Sequence, residues 1–295
     1  MASKQKFLPV GSLLSAAIVW GLIWYPYRVL DHAGVSGETA TFLTYSIALV
    51  FGLTLSGPIW HELRVAGWWG VALMLCAGWT NLGYVLAMLG GEVMRVLLLF
   101  YLAPLWTVLL ARWLLAEKLD RCGYAVIALS LGGAMVMLWQ PGPGLPVPQN
   151  NAEWMGLSAG MGFAMTNVLA RRIQHLSVNF KSASVWFGTA LLTAIALMYH
   201  GGITSQLKII APSMWVLVLL VALVLCATSF TAQYGLTHLP ANQSIVLFMF
   251  ELVVAAVSSF FLAGEQMGMR EIIGAVLIVS ASLFSGKIHA GMSKS

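Results

Sequence analysis

Apolar stretches of about 20 residues, the length an α-helix needs to cross the hydrocarbon core of a bilayer, recur from one end of this chain to the other. There are ten, at about 10–30, 39–57, 67–89, 93–115, 121–139, 152–172, 182–200, 212–236, 241–262 and 270–287. Because they fill the sequence, they are the fold itself rather than an anchor on a soluble domain. An all-α polytopic membrane protein follows. Composition agrees, with 8% of residues charged and 60% hydrophobic, against about 25% charged in a soluble domain. Lys4 and Lys6 ahead of the first stretch mimic the start of a signal peptide. No small-residue cleavage site precedes the next polar break, so this segment reads as a retained first span.

The net charge of +5 carries no basic run that would suit nucleic acid. The positive residues are scattered among loops, where they report orientation. With ten spans and an inside N-terminus, Lys4, Lys6, Arg64, Arg112, Lys118, Arg121, Arg171, Arg172, Lys181, Lys287 and Lys294 fall on the inner side, and Arg28, Arg95, Lys208 and Arg270 on the outer. That asymmetry favours both termini on the inner, cytoplasmic side. Cys76, Cys122 and Cys226 lie in apolar stretches without close spacing or accompanying histidine and read as small packing residues. His32, His61, His175, His200, His238 and His289 sit at span ends or in loops without metal-ligand spacing. No cofactor or metal is implied.

Gln140–Asn150, with its prolines and glycines, cannot be helical and reads as a linker. The chain then divides into residues 1–139, a linker at 140–151, and residues 152–295. Each half holds five spans, and because five is odd the second half enters the membrane from the opposite side. The expected arrangement is two inverted-topology repeats about a pseudo-two-fold axis in the membrane plane, with a substrate site between them. The halves echo each other in sequence. Leu99-Phe100 and Glu117 recur 148 positions later as Leu247-Phe248 and Glu265, and Leu14-Ser15-Ala16 recurs at Leu157-Ser158-Ala159. The latter register pairs Trp20 with Phe163, Trp24 with Asn167, and Arg28 with Arg171, while an offset of 150 pairs Asn81 with Thr231 and Tyr84 with Tyr234. Gly156-Leu-Ser-Ala-Gly160 is a small-xxx-small pattern, read as close packing within a monomer rather than a dimer face.

At Tyr101-Leu-Ala-Pro104 with Glu117, and again at Ala263-Gly264-Glu265, the chain resembles the EamA-type proteins of the drug/metabolite transporter superfamily. That resemblance implies two five-helix halves, each with a proline in its fourth helix and a Gly-Glu pair ending it. Length, tryptophan content and the lack of phosphate-binding loops look most like the superfamily's bacterial aromatic amino-acid exporters. There are two departures. Ala116-Glu117 stands where Gly-Glu is usual, and Leu252, preceded by Glu251, stands where a second proline would match Pro104. The missing proline weakens the expectation that both halves bend in the same way.

Glu251 is the only acidic residue near the middle of a span. A carboxylate there costs roughly 2.5 to 3.5 kcal/mol on insertion scales, so it faces the bundle interior or a wet cavity, or stays protonated. It either binds a substrate ammonium, relays a proton, or is a buried acid bonded to a neighbouring helix. Pro104 removes a helical hydrogen bond and makes either a hinge or a static kink. Trp60, Trp68, Trp69, Trp113, Trp139, Trp154 and Trp215 lie at span ends as interfacial anchors, whereas Trp20, Trp24, Trp79, Trp106 and Trp186 lie deeper. As a set Trp20, Trp24, Tyr84, Tyr101, Phe163 and Tyr234 would suit a cavity for flat or apolar side chains, with core packing the alternative for each deep tryptophan, and Asn81 and Asn167 read either as partners of a ligand or cavity water or as interhelical hydrogen-bond groups. Arg28, Arg95 and Arg171 read first as snorkelling cations. Glu117 and Glu265 read as structural or gating residues rather than substrate ligands, paired with nearby bases such as Lys118 or Arg121.

No Gly-rich Lys-Ser or Lys-Thr loop exists, so ATP hydrolysis is unsupported. An intramembrane enzyme would need a second acid, a nucleophile or a histidine at the depth of Glu251. The expected function is therefore secondary transport of a small molecule, by resemblance an amino acid and especially an aromatic one. A drug-like cation or a small amino acid is the alternative cargo; a nucleotide sugar would need interior cations that the spans lack.

Overall fold

The computed structural model describes residues 2–56, 59–91, 93–139, 148–199, 210–264, 267–287 and 291–292. The first three stretches form α1 (Ala2–His32), α2 (Gly37–Ser56) and α3 (Trp60–Gly90). The fourth is split into α4 (Val93–Phe100) and α5 (Ala103–Leu114), and the fifth is α6 (Arg121–Leu138). After the linker come α7 (Asn151–Arg172), α8 (Val178–Tyr199) and α9 (Pro212–His238). The ninth stretch is again split, into α10 (Ala241–Phe248) and α11 (Phe250–Ala263), before α12 (Met269–Phe284). Residues 140–147 of the expected linker lie outside the described residues.

Among the described residues, eight helical segments are long and apolar enough to cross a membrane. The chain is a multi-pass membrane protein. α7 and α12 fall outside that set for different reasons. α12 has only 16 residues, whereas α7 is long but carries Glu153, Thr166, Asn167, Arg171 and Arg172 and buries most of its side chains against other helices. A helix surrounded by protein has no need of a lipid-like surface.

Local chemistry sets several boundaries. Asp120 Oδ1 accepts from Gly123 N at 2.7 Å to cap α6, and Asn150 Oδ1 accepts from Glu153 N at 2.9 Å to cap α7. The third stretch is expected to begin at 67, yet α3 starts at Trp60 and turns at Gly67, whose φ of 51° and ψ of −138° suit only glycine. The structure is also not wholly helical. Glu117–Lys118 (β1) pairs antiparallel with Gly291–Met292 (β2), tying the last described residues to the loop after α5.

The packing partners come in matched sets. α1 lies against α9 and the split pair α10–α11, and α7 lies against α3 and the split pair α4–α5. α2 packs on α8 and α6 on α12. At the last crossing the backbones nearly touch: a Cβ at Gly133 would stand 2.9 Å from the Gly274 carbonyl oxygen, and one at Gly274 would stand 2.6 Å from that of Gly133. Gly156 and Gly160 meet α4, where a Cβ at Gly160 would lie 2.3 Å from the Phe100 carbonyl oxygen. The small-residue pattern thus serves contacts within the chain.

The outer surface is apolar. Trp68 and Trp113 are 69% and 78% exposed, and many large aliphatic side chains join them. Such a surface belongs in lipid. Trp186, in contrast, is wholly buried between α2, α8 and α9 and donates to Ser229 Oγ at 2.8 Å. Cys226 packs in the same cluster.

Candidate functional site

Two interrupted helices meet α1, α3 and α7 at the centre of the molecule. The first breaks at Tyr101–Leu102, with Pro104 buried in the first turn of α5. Proline has no N–H to donate, and the backbone passes the break through short bonds from Leu102 N to Leu99 O, 3.3 Å, and Leu105 N to Leu102 O, 2.9 Å. The second breaks at Met249, the position 148 residues after Tyr101, although no proline is present. The two halves are thus interrupted at matching positions, with a proline at one break only. Leu252 N bonds Met249 O at 3.1 Å there, so the interruption does not come from a missing donor.

Aromatic rings fill the space between the breaks. Trp20 of α1 and Phe163 of α7 meet edge to face at 6.3 Å between centroids. Phe248 lies 5.2 Å from Trp20 and 5.4 Å from Phe163, and Phe100 stacks on Phe163 at 5.6 Å. Phe100 then leads outward to Tyr84 and Tyr101, at 5.2 and 5.3 Å. The Tyr101 hydroxyl faces the Glu251 carboxyl, and Tyr84 lies near both. Five expected site residues, Trp20, Tyr84, Tyr101, Phe163 and Glu251, are therefore gathered into one aromatic and acidic centre.

Two members of that centre, Phe100 and Phe248, are not among the expected site residues. They are the phenylalanines of the Leu-Phe echo itself. A repeated residue placed at the end of a broken helix was the signal that would have found them.

The other expected residues lie apart from the rings. Trp24 donates to Ser258 Oγ at 2.9 Å, and that hydroxyl donates to Gly21 O, so Trp24 fastens α1 to α11. Its ring also carries the Arg28 guanidinium at 5.5 Å. Asn81 accepts from the Tyr45 hydroxyl at 2.8 Å and donates to Thr189 Oγ1 at 3.1 Å, joining α2, α3 and α8. Tyr234 stacks on His238 at 4.3 Å. Asn167 lies one turn beyond Phe163 on α7; it is buried, and neither amide atom finds a hydrogen-bond partner among the described residues. Such a group wants a polar guest.

Charged residues cluster at the ends of the bundle. Glu117 accepts from Ala241 N and Asn242 Nδ2 at 3.4 and 3.3 Å, at the start of α10, with Arg171 nearby. This replaces the expected pairing with Lys118 or Arg121. Burial pushes the Glu117 carboxyl above its ordinary range, opposed by those hydrogen bonds and by Arg171. Glu265 lies outside the described residues. Close by, Glu62 accepts from Ser177 N and Oγ, Arg171 Nη1 donates to Thr237 O at 2.6 Å, and the buried Lys181 ammonium donates to Thr237 Oγ1. Arg95 does not snorkel. It makes a bidentate pair with Glu153, 2.8 Å from Nε to Oε1 and 3.1 Å from Nη2 to Oε2, which joins α4 to α7.

The chain is similar to known transporters. A solved crystal structure superposes with a TM-score of 0.72 at 18% identity, over 93% of this chain and 97% of that one, which shows a shared fold. A probable terminal-alkyne amino-acid exporter of Streptantibioticus cattleyicolor is 25% identical, over 96% of this chain and 94% of that protein. The chloramphenicol-sensitive protein RarD of Pseudomonas aeruginosa is 26% identical over 76% of this chain and 75% of its own. An uncharacterised transporter of the same organism is 24% identical, and the match spans just under two thirds of it, 64%, and 65% of this chain. Residues 150–286, which hold α7 to α12, match the EamA-like transporter family.

Proposed function

We propose that this protein is a secondary carrier that exports amino acids, with a preference for aromatic ones, across the bacterial inner membrane. The observation that carries the reading is the centre itself: a mid-membrane carboxyl facing a tyrosine and flanked by stacked rings, at the meeting of two interrupted helices. Glu251 supplies the counter-charge for a substrate ammonium, the rings accept a flat side chain, and the unpartnered Asn167 amide is placed for a carboxylate. A named amino-acid exporter among the relatives supports the same class of cargo. The narrower likeness to the aromatic amino-acid exporter YddG belongs to this proposal.

The transport cycle we infer uses ten spans arranged as residues 1–139 and 152–295, inverted with respect to each other, with both termini in the cytoplasm. The matched packing sets support this arrangement, because exchanging the first five spans with the last five carries the contacts of α1 with α9 and α10–α11 into those of α7 with α3 and α4–α5, and keeps the pairs α2–α8 and α6–α12. The two halves rock about the aromatic centre. The Arg95–Glu153 pair holds one end of the bundle, and the Glu117, Arg171, Lys181 and Glu62 contacts hold the other. Pro104, Glu117 and Glu265 act in bending and gating.

Counterflow in proteoliposomes, with labelled amino acids and with or without a pH gradient, tests the reading. Exchange of phenylalanine, tyrosine or tryptophan is expected. Exchange of small or cationic compounds but no aromatic amino acid would reject the preference and keep the carrier; exchange of nothing, by a folded protein, would reject both. Glu251→Gln with unchanged rate and unchanged pH dependence would remove the carboxyl from the mechanism.

A further inference from the structure

We propose that the cleft beside Glu117 binds the phosphate of an anionic phospholipid headgroup. The cleft has a volume of about 260 Å³ and is lined by Val108, Arg112, Glu117, Lys118, Leu119 and Tyr124. Arg112 and Lys118 are exposed at its rim, and the exposed Tyr124 brings a hydroxyl from α6. A phosphate diester offers the oxygens that a guanidinium, an ammonium and a phenol together can satisfy.

Glu117 does not spoil the site. Its oxygens accept from Ala241 and Asn242, and Arg171 stands near to offset its charge. The cleft's field toward an incoming anion is therefore set by Arg112 and Lys118.

The surroundings select a lipid over a free phosphate. On α5, the residues next to Val108 and Arg112 are Leu109 and Trp113, 61% and 78% exposed, so acyl chains have an apolar wall directly beside the headgroup position. Exposed Trp and basic residues at a helix end are the side chains that meet headgroups. The positions 148 residues after Arg112 and Lys118 are Phe260 and Gln266, so the sequence of the second half does not repeat the basic pair. Occupation would brace the loop that carries Glu117, and with it the contact to α10.

The test is a titration of the full chain, purified in neutral detergent, with phosphatidylglycerol or phosphatidylcholine, counting bound lipid by native mass spectrometry. Phosphatidylglycerol should be retained in preference, and R112Q/K118Q should weaken its binding roughly 30-fold, while R64Q, at an exposed base of α3, should leave it unchanged. R112K/K118R should keep most of the binding, and K118Q alone should lose roughly fivefold, so the reading survives even if the double neutral variant fails to fold. The proposal is overturned if R112Q/K118Q binds like the parent, if R64Q loses as much, or if phosphatidylcholine binds equally. Equal binding of glycerol phosphate, which lacks acyl chains, would overturn the lipid as the source.

Discussion

The two interrupted helices reach the same shape by different means. α4–α5 breaks beside Pro104, which has no N–H and cannot restore the missing helical bond in any state of the protein. α10–α11 breaks beside Leu252, which keeps its N–H and spends it on Met249 O at 3.1 Å. One break therefore cannot close into a continuous helix, whereas the other keeps the donor that closing would need. Glu251 sits on the second, and we infer that a rearrangement there would move the carboxyl relative to Tyr101.

Substitutions that make the halves alike probe that contrast. Ala103 is the counterpart of Glu251, and Glu251→Ala should cost the most: transport falling on the order of 100-fold in counterflow, as expected when one charged partner of a ligand is lost. A carrier still working at parent rate would mean the asymmetry has no part in binding. Leu252→Pro makes the second break permanent, and turnover should fall roughly tenfold with the protein still folded, while Pro104→Leu should slow it less. The opposite order would assign the motion to α4–α5.

Gly21 has Ala164 as its counterpart, and Gly21→Ala places a methyl 2.8 Å from the Glu251 carbonyl oxygen and 2.7 Å from Val254 Cβ. Thermal unfolding in detergent should show a loss of about 1 to 3 kcal/mol. Ala116 has a positive φ of 55°, whereas its counterpart Gly264 adopts the same left-handed conformation, φ 68°, without a side chain to strain. Ala116→Gly should therefore stabilise by about 1 kcal/mol, and Gly264→Ala should destabilise by a similar amount.

The smallest effect concerns pH. Burial raises the Glu117 carboxyl above its unfolded value, so folding is favoured by its protonation. Its contribution to stability is fully present below the unfolded carboxylate range, about pH 4.3, and is lost as pH rises through the higher folded value. Glu117→Gln should flatten that slope in unfolding midpoints measured across acidic pH.

Much of this was legible in the sequence because apolar runs and their echo are long-range patterns that survive without coordinates. The rings of Trp20, Tyr84, Tyr101 and Phe163 were legible because deep aromatics and a lone mid-span acid are chemically conspicuous. Asn81 and Trp24 were not placed, because their partners Tyr45, Thr189 and Ser258 are distant in sequence and carry no spacing signal. Arg95 was misread for the same reason: its partner Glu153 opens a helix 58 residues later. The break at Met249 was invisible because no proline marks it.

The short pairing of Gly291–Met292 with Glu117–Lys118 has a practical side. A reporter or affinity handle fused behind that strand hangs from the segment that carries Glu117, and its bulk or charge acts directly on the loop after α5. Labels on the α1 end leave that clasp alone, and a functional difference between proteins labelled at the two ends would measure how firmly the clasp is held.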